Sequence, residues 1–221
     1  MMSFADNILA FYRSLALPGL PQGVEAMNPY QDATAYALSE QFYRMFYSDD
    51  KPRRIIMGIN PGRFGGGLTG VPFTDPLKLE QRFGIKNDLK KKVELSADFI
   101  YTMIDAYGGP KKFYSRYYIN SVSPLGFVKD GKNLNYYDIR ELQEAIEPFV
   151  VDSIHRQLAF GIDRKAAYCL GEGKNFEYLD KLNRKHGFFK EVIPLSHPRF
   201  IMQYKRKHIP AYVADYLKKL K

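Results

Sequence analysis

The sequence predicts a three-layer α/β/α sandwich built on a central, four-stranded, mostly parallel sheet. Four short runs of β-branched or aromatic residues read as strands buried on both faces, the pattern that parallel strands show. Helical patterns lie between them, and helical crossovers are what parallel pairing requires. No repeat, low-complexity tract or linker rich in Gly, Ser or Pro divides the 221 residues, so one domain over 1–221 with a single core is expected.

The strands are expected at Arg53 to Ile59, Tyr117 to Asn120, Ala166 to Leu170 and Glu191 to Leu195. Apolar residues recur at helical spacing from Ala35 to Tyr47, from Leu95 to Tyr107 and from Phe176 to Arg184. Ile139 to Leu158 shows the same spacing, with Pro148 as a point where the helix could break. A last helix is expected from Ala211 to Leu220. In sheets of this kind ligands gather beyond the carboxyl ends of the strands, so those ends are where function is sought.

Composition narrows the setting. No apolar run is long enough to span a bilayer. The first residues, MMSFADNILAFYRSLALPGLP, lack a basic n-region, and Asp6 and Arg13 interrupt their apolar stretch. A secretory signal is therefore not expected, and an intracellular, cytoplasmic location is, at the nucleoid in a bacterium. Cys169 is the only cysteine, which excludes an internal disulfide and any multi-cysteine zinc or iron–sulfur site; it reads as a small buried hydrophobe.

Lys and Arg number 33 against 24 Asp and Glu, a formal charge of +9, which suits a polyanionic partner. The cations cluster at Lys90 to Lys92, at Lys205-Arg206-Lys207-His208 and at Lys218-Lys219. The first cluster reads equally as a solvated surface. The others share a segment with Phe200, Tyr204 and Tyr212, and aromatics among cations suit phosphates and base faces.

The first strand runs into Gly58-Ile59-Asn60-Pro61-Gly62-Arg63-Phe64-Gly65-Gly66-Gly67-Leu68-Thr69-Gly70-Val71-Pro72-Phe73. Six glycines let this backbone approach a ligand closely. Gly65-x-Gly67-x-x-Gly70 matches the dinucleotide fingerprint in form, but Pro72 and Pro76 follow where a Rossmann helix should open. A phosphate-binding P-loop fails as well, because no Lys-Ser or Lys-Thr closes the loop. The second strand ends in Asn120-Ser121-Val122-Ser123-Pro124-Leu125 and the fourth in Leu195-Ser196-His197-Pro198-Arg199. Three strands thus bring Asn60, Asn120 and His197 to one edge of the sheet. Singly, each reads as a cap or a structural polar group; together they indicate a site.

These residues carry a resemblance. Gly58-x-Asn60-Pro61-Gly62-x-Phe64-Gly65, followed by Thr69-Gly70-Val71-Pro72-Phe73, resembles the first motif of the uracil-DNA glycosylase superfamily. Within it, the chain is most similar to the single-strand-selective monofunctional enzymes, in a divergent bacterial branch. Asn120-x-x-x-Pro124-Leu125, with Gly131-Lys132-Asn133-Leu134 after it, is similar to the segment carrying the family's uracil-reading asparagine. Ser196-His197-Pro198 is similar to the second motif, and Asn28-Pro29-Tyr30 also fits. Two departures stand out. Arg199-Phe200-Ile201-Met202-Gln203-Tyr204 replaces the family's Ser-Pro-Arg-Asn-Pro after His-Pro, which alters the wedge loop. Gly66-Gly67 replace bulkier residues, which implies a roomier pocket near the base's C5 edge.

The resemblance implies hydrolysis of the N-glycosidic bond of uracil, or related damaged bases, in DNA. Asn60 would position the attacking water, and His197 would donate a hydrogen bond to uracil O2 as negative charge develops. Phe73 would stack on the flipped ring. Asn120 would read O4 and N3–H and so reject cytosine. Backbone groups of Ile59, Gly62 and Phe64 would complete the base pocket. Arg199, Phe200, Tyr204, Lys205 and Arg206 would engage DNA, with Arg199 and Phe200 filling the hole left by the base. Neither a metal nor a cofactor is implied, and a monomer acting on DNA is expected. The sequence admits two other readings: a non-catalytic nucleic-acid-binding protein of the same fold, and a nucleoside-processing α/β enzyme.

Overall fold

The computed structural model describes residues 2–17 and 19–220. In chain order the elements are α1 (Phe4–Arg13), β1 (Val24–Met27), α2 (Ala33–Phe46), β2 (Arg53–Gly58), α3 (Gly66–Thr69), α4 (Pro76–Phe83), α5 (Leu95–Tyr107) and α6 (Pro110–Tyr114). Then follow β3 (Tyr117–Ser121), β4 (Gly126–Lys129), β5 (Lys132–Leu134), α7 (Arg140–Leu158), β6 (Ile162–Leu170), α8 (Lys174–His186), β7 (Glu191–Leu195), α9 (Pro198–Tyr204) and α10 (Ile209–Lys219).

The central sheet has the strand order β3-β2-β6-β7, and every pair in it is parallel. All four expected strands and all five expected helices are present. α7 passes through Pro148 without a break. The register Ile55↔Tyr118, Met57↔Asn120 and Met57↔Cys169 sets these side chains on one face of the sheet. Helices α1, α7 and α8 cover that face: the Tyr12 and Tyr118 hydroxyls lie 3.1 Å apart, Asn120 Nδ2 donates to Gln157 Oε1, and Asn175 Nδ2 donates to Cys169 Sγ at 3.2 Å. On the other face Tyr107 of α5 packs edge-on against Tyr117. Phe99 of α5 meets Tyr216 of α10, whose hydroxyl donates to the Ser196 carbonyl. One buried apolar cluster runs through both layers, from Phe4 to Leu220.

Several elements were not foreseen. α1 starts on a capping box, in which Ser3 Oγ accepts from the Asp6 N–H and Asp6 accepts from the Ser3 N–H. A second sheet, of order β1-β4-β5, is antiparallel, and its β4–β5 hairpin turns through Asp130 and Gly131, both at positive φ. The glycine-rich loop also contains a single helical turn, α3.

The order β3-β2-β6 means that the chain steps from β2 to β3 on one side and later returns to place β6 on the other side of β2. A crevice opens at such a reversal, beyond the carboxyl ends of β2 and β6. Ile59, just past β2, and Gly171, just past β6, line one pocket together with His197. The chain's glycine-rich loop stands on this edge.

Candidate active site

Asn60 follows β2 and lies on the wall of a cleft of about 320 Å³ that Phe73, His197, Glu94, Asn133 and Arg199 also line. Its amide is fixed by backbone groups of its own loop, of the end of β5 and of the residue Tyr136 beyond it. Nδ2 donates to the Leu134 carbonyl at 3.2 Å and to the Pro61 carbonyl at 3.4 Å, and Oδ1 accepts from the Tyr136 N–H at 3.1 Å. Two acceptors and one donor leave only one orientation of the carboxamide. Oδ1 keeps a second lone pair for a hydrogen bond from a water.

Phe73 has φ of +53°, in the left-handed region that bulky side chains avoid. The loop holds it there. Thr69 Oγ1 donates to the Thr74 carbonyl at 2.7 Å and accepts from the Val71 N–H at 3.1 Å. Tyr30 donates to the Gly70 carbonyl at 3.2 Å, which gives Asn28-Pro29-Tyr30 a structural task. Gly58 makes room for the ring: a β-carbon there would lie 3.0 Å from Phe73 Cζ and 3.4 Å from Ser121 Oγ.

His197 is the N-cap of α9, and its Nδ1 accepts the Arg199 N–H at 3.1 Å. With Nδ1 an acceptor, the neutral ring carries its proton on Nε2. Burial, and then the Arg199 charge, press its pKa down to about 4, so the ring is neutral at physiological pH. Glu94 behaves in the opposite sense: burial, and then the neighbouring Asp75, push its carboxyl up to about 7.

Asn120 is not in this cleft. It stands at the carboxyl end of β3 as expected, but its amide is consumed in the core by Tyr118 at 2.9 Å, by Gln157 and by the Ser121 N–H at 2.8 Å. Successive strand residues face opposite sides, so Ser121 rather than Asn120 points toward Phe73. The roomier pocket expected at Gly66-Gly67 is also absent. Neither glycine lines the cleft; Met27 fills the space above Gly67, and Val71 and Pro72 close on Gly66. Ile59 and Gly62 do line the cleft. Phe64 lies on a neighbouring pocket beside Gly62 and Glu94, its ring under Lys92 Nζ at 4.2 Å.

On α9, Arg199, Phe200, Gln203 and Tyr204 border the cleft, while Ile201 and Met202 are buried beneath. Phe200 is 42% exposed and Tyr204 72%, their rings 5.7 Å apart. Lys205, Arg206 and Lys207 are exposed, and none of them, nor Arg199, forms an ion pair among the described residues. Sequence reasoning missed Glu94, Asn133, Asn135, Ser96 and Tyr137 as cleft residues. Only Asn133 carried a signal, through Gly131-Lys132-Asn133-Leu134.

No helix among the described residues is long and apolar enough to cross a membrane. No curated protein sequence matches the chain. Among solved structures, the wild-type SMUG2 protein of Pedobacter heparinus is similar at 42% identity, with a TM-score of 0.96, over 100% of this chain and 97% of that one. The family model described as the uracil DNA glycosylase superfamily matches residues 45–221. This span holds Asn60, Phe73 and His197, and the chain belongs to the uracil DNA glycosylase superfamily.

Proposed function

We propose that the cleft receives a uracil-type base flipped out of DNA and that Asn60 and His197 perform the cleavage. The chain's role is that of a uracil-DNA glycosylase in base excision repair. One observation carries the assignment of residues. Asn60 and His197 share a cleft with Phe73, and backbone hydrogen bonds set both the amide and the imidazole in one state.

Breaking the glycosidic bond places positive charge on the sugar and negative charge on the base. Neutral His197 donates from Nε2 to O2 of the departing base, and one such preorganised donor contributes about 3 kcal/mol. Asn60 Oδ1 orients the water that attacks the sugar; a weakly basic amide suffices when orientation is what the step requires. Phe73 stacks on the ring, which contributes about 1–3 kcal/mol. With Asn120 in the core, reading of the base edge falls to Asn133. Asn133 Oδ1 accepts the Arg63 N–H at 3.3 Å, and its Nδ2 is left for the cleft. The exposed face of α9 and the cations after it meet the phosphates, and the protein works on DNA inside the cell as a monomer without a metal.

The test is single-turnover excision from a uracil oligonucleotide beside free deoxyuridine, with and without excess EDTA. Cleavage of the oligonucleotide alone, unchanged by EDTA and leaving an intact abasic site, is expected. A large loss in EDTA, a borohydride-trapped adduct or turnover of free deoxyuridine would each overturn the reading.

A further inference from the structure

We propose that the Glu94 carboxyl group is a hydrogen-bond donor to an exocyclic oxygen of the base held in the cleft. The proposal rests on the glycosylase reading above and adds a substrate contact to it.

Glu94 is the residue before α5, in the N-cap position, yet its side chain does not cap the helix. Its N–H donates to Asp75 Oδ2 at 3.0 Å, and the side chain turns away toward the glycine-rich loop. A β-carbon on Gly65 would fall within the Glu94 carboxyl group, so the loop is glycine where this group lies. Glu94 then lines the cleft with Asn60, Phe73 and His197. Its Oε2 lies against Gly65, sealed from solvent and without a hydrogen-bond partner among the described residues. A buried oxygen without a partner disfavours the carboxylate, and Oε1, which is not sealed, is the oxygen that a ligand in the cleft can reach.

The charged groups around it do not supply the partner. Lys78 on α4 is the nearest candidate, but its ammonium is taken by Asp75 at 2.9 Å and by Asp98 of α5 at 2.6 Å. Arg199 of α9 is close enough to favour the carboxylate but forms no ion pair with it. Burial and Asp75 outweigh both cations, and the group titrates at about 7. Its protonated form can donate from Oε1, and the proton stays on Glu94 throughout. The hydrogen bond strengthens as the base leaves as an anion. The carboxylate form would repel the same anion. Ionisation of Glu94 therefore opposes the reaction that its neutral form assists.

Single-turnover excision from a uracil oligonucleotide between pH 5.5 and 8.5 tests this for wild type, Glu94→Gln and Glu94→Ala. Wild type should lose rate as pH rises through about 7, approaching ten-fold per unit, as for one essential proton. Glu94→Gln keeps a neutral donor in the same place; it should stay within about three-fold of wild type at pH 6 and lose the limb. Glu94→Ala should be at least ten-fold slower at pH 6, with a flat profile. Gly65→Ala, which displaces the carboxyl while leaving it in the chain, should also lose the limb. The wild-type rate at pH 6 tests the glycosylase reading, and the slope and the variant ratios test Glu94. A wild-type profile that is level to pH 8.5, a limb that survives in Glu94→Gln, or a folded Glu94→Ala as fast as wild type at pH 6 would each overturn the proposal.

Discussion

The backbone N–H of Tyr136 donates to Asn60 Oδ1 across 3.1 Å, so a residue beyond β5 sets the orientation of a side chain at the end of β2. The Leu134 and Pro61 carbonyls on the other side admit only a donor. Asn60→Ala should lower the single-turnover excision rate at least ten-fold, about 1.4 kcal/mol or more, while the protein stays folded. Asn60→Asp should be no better, because its second oxygen would face two carbonyl oxygens. A near-normal rate for either variant in a quenched-flow assay would show that Asn60 does not hold the water.

His197 combines two tasks that substitution can separate. Asn accepts well at an N-cap, so His197→Asn should keep the start of α9 and lose the donor to the base; His197→Ala should lose both, with a further cost of about 1 kcal/mol. Excision should fall at least ten-fold in each, whereas urea midpoints should fall only for Ala. Equal midpoints would show that the hydrogen bond to the Arg199 N–H does not support the helix.

The His197 pKa of about 4, against an ordinary 6.5, also gives stability a pH dependence. Below 6.5 the unfolded chain takes up a proton that the folded chain refuses. Stability should therefore decline from pH 6.5 to about 4 and then level off as the folded state is protonated too. His197→Asn should show a shallower decline in urea titrations over that window. An unchanged slope would place the proton elsewhere.

Phe73 tests strain against stacking. Phe73→Ala removes the stacked ring and leaves a non-glycine residue at φ +53°. Phe73→Gly removes the same ring and relieves the backbone. Both should lose the roughly 1–3 kcal/mol of base stacking, yet the glycine variant should melt higher, the reverse of the usual order of the two residues. Calorimetry decides between them, and a lower melting point for glycine would mean that the loop carries no strain there.

The segment after His197 should govern DNA engagement rather than bond cleavage. Replacing Lys205 and Arg206 together should weaken binding to every sequence and flatten its salt dependence by nearly one unit of slope per lost phosphate contact. Phe200→Ala should slow excision from duplex more than from single strands, because only duplex leaves a gap to fill. An unchanged salt slope, with equal effects of Phe200→Ala on both substrates, would return α9 to a structural role.

The central sheet was legible in the sequence because each of its strands is a short β-branched or aromatic run flanked by helices with a clear period, although the edge strand β7 is buried only at Leu195. Leu95 to Tyr107 and Glu191 to Leu195 match the observed elements end to end. β1, β4 and β5 were not legible, since three or four residues carry no measurable alternation. α1 did carry a signal, Ser3-x-x-Asp6, ahead of an apolar run. That Asn60 and His197 would share one cleft was legible through their motifs. Asn120 lies off that cleft because β3 continues one residue further, to Ser121, and one step along a strand exchanges the faces. Glu94 had no motif at all; its carboxyl group occupies the space of a missing β-carbon at Gly65, 29 residues before it in the chain.

The small sheet, whose β5 supplies the Leu134 carbonyl to Asn60, is built of short strands. Its strands span three or four residues, and β5 is largely exposed. Regions with so little burial open well before a protein melts as a whole. On heating, the amide protons of this hairpin should exchange early, and excision should fade reversibly while the parallel sheet remains intact. The temperature at which the enzyme stops working and the temperature at which it unfolds are then two different properties, and stabilising the Asp130-Gly131 turn would raise the first without moving the second.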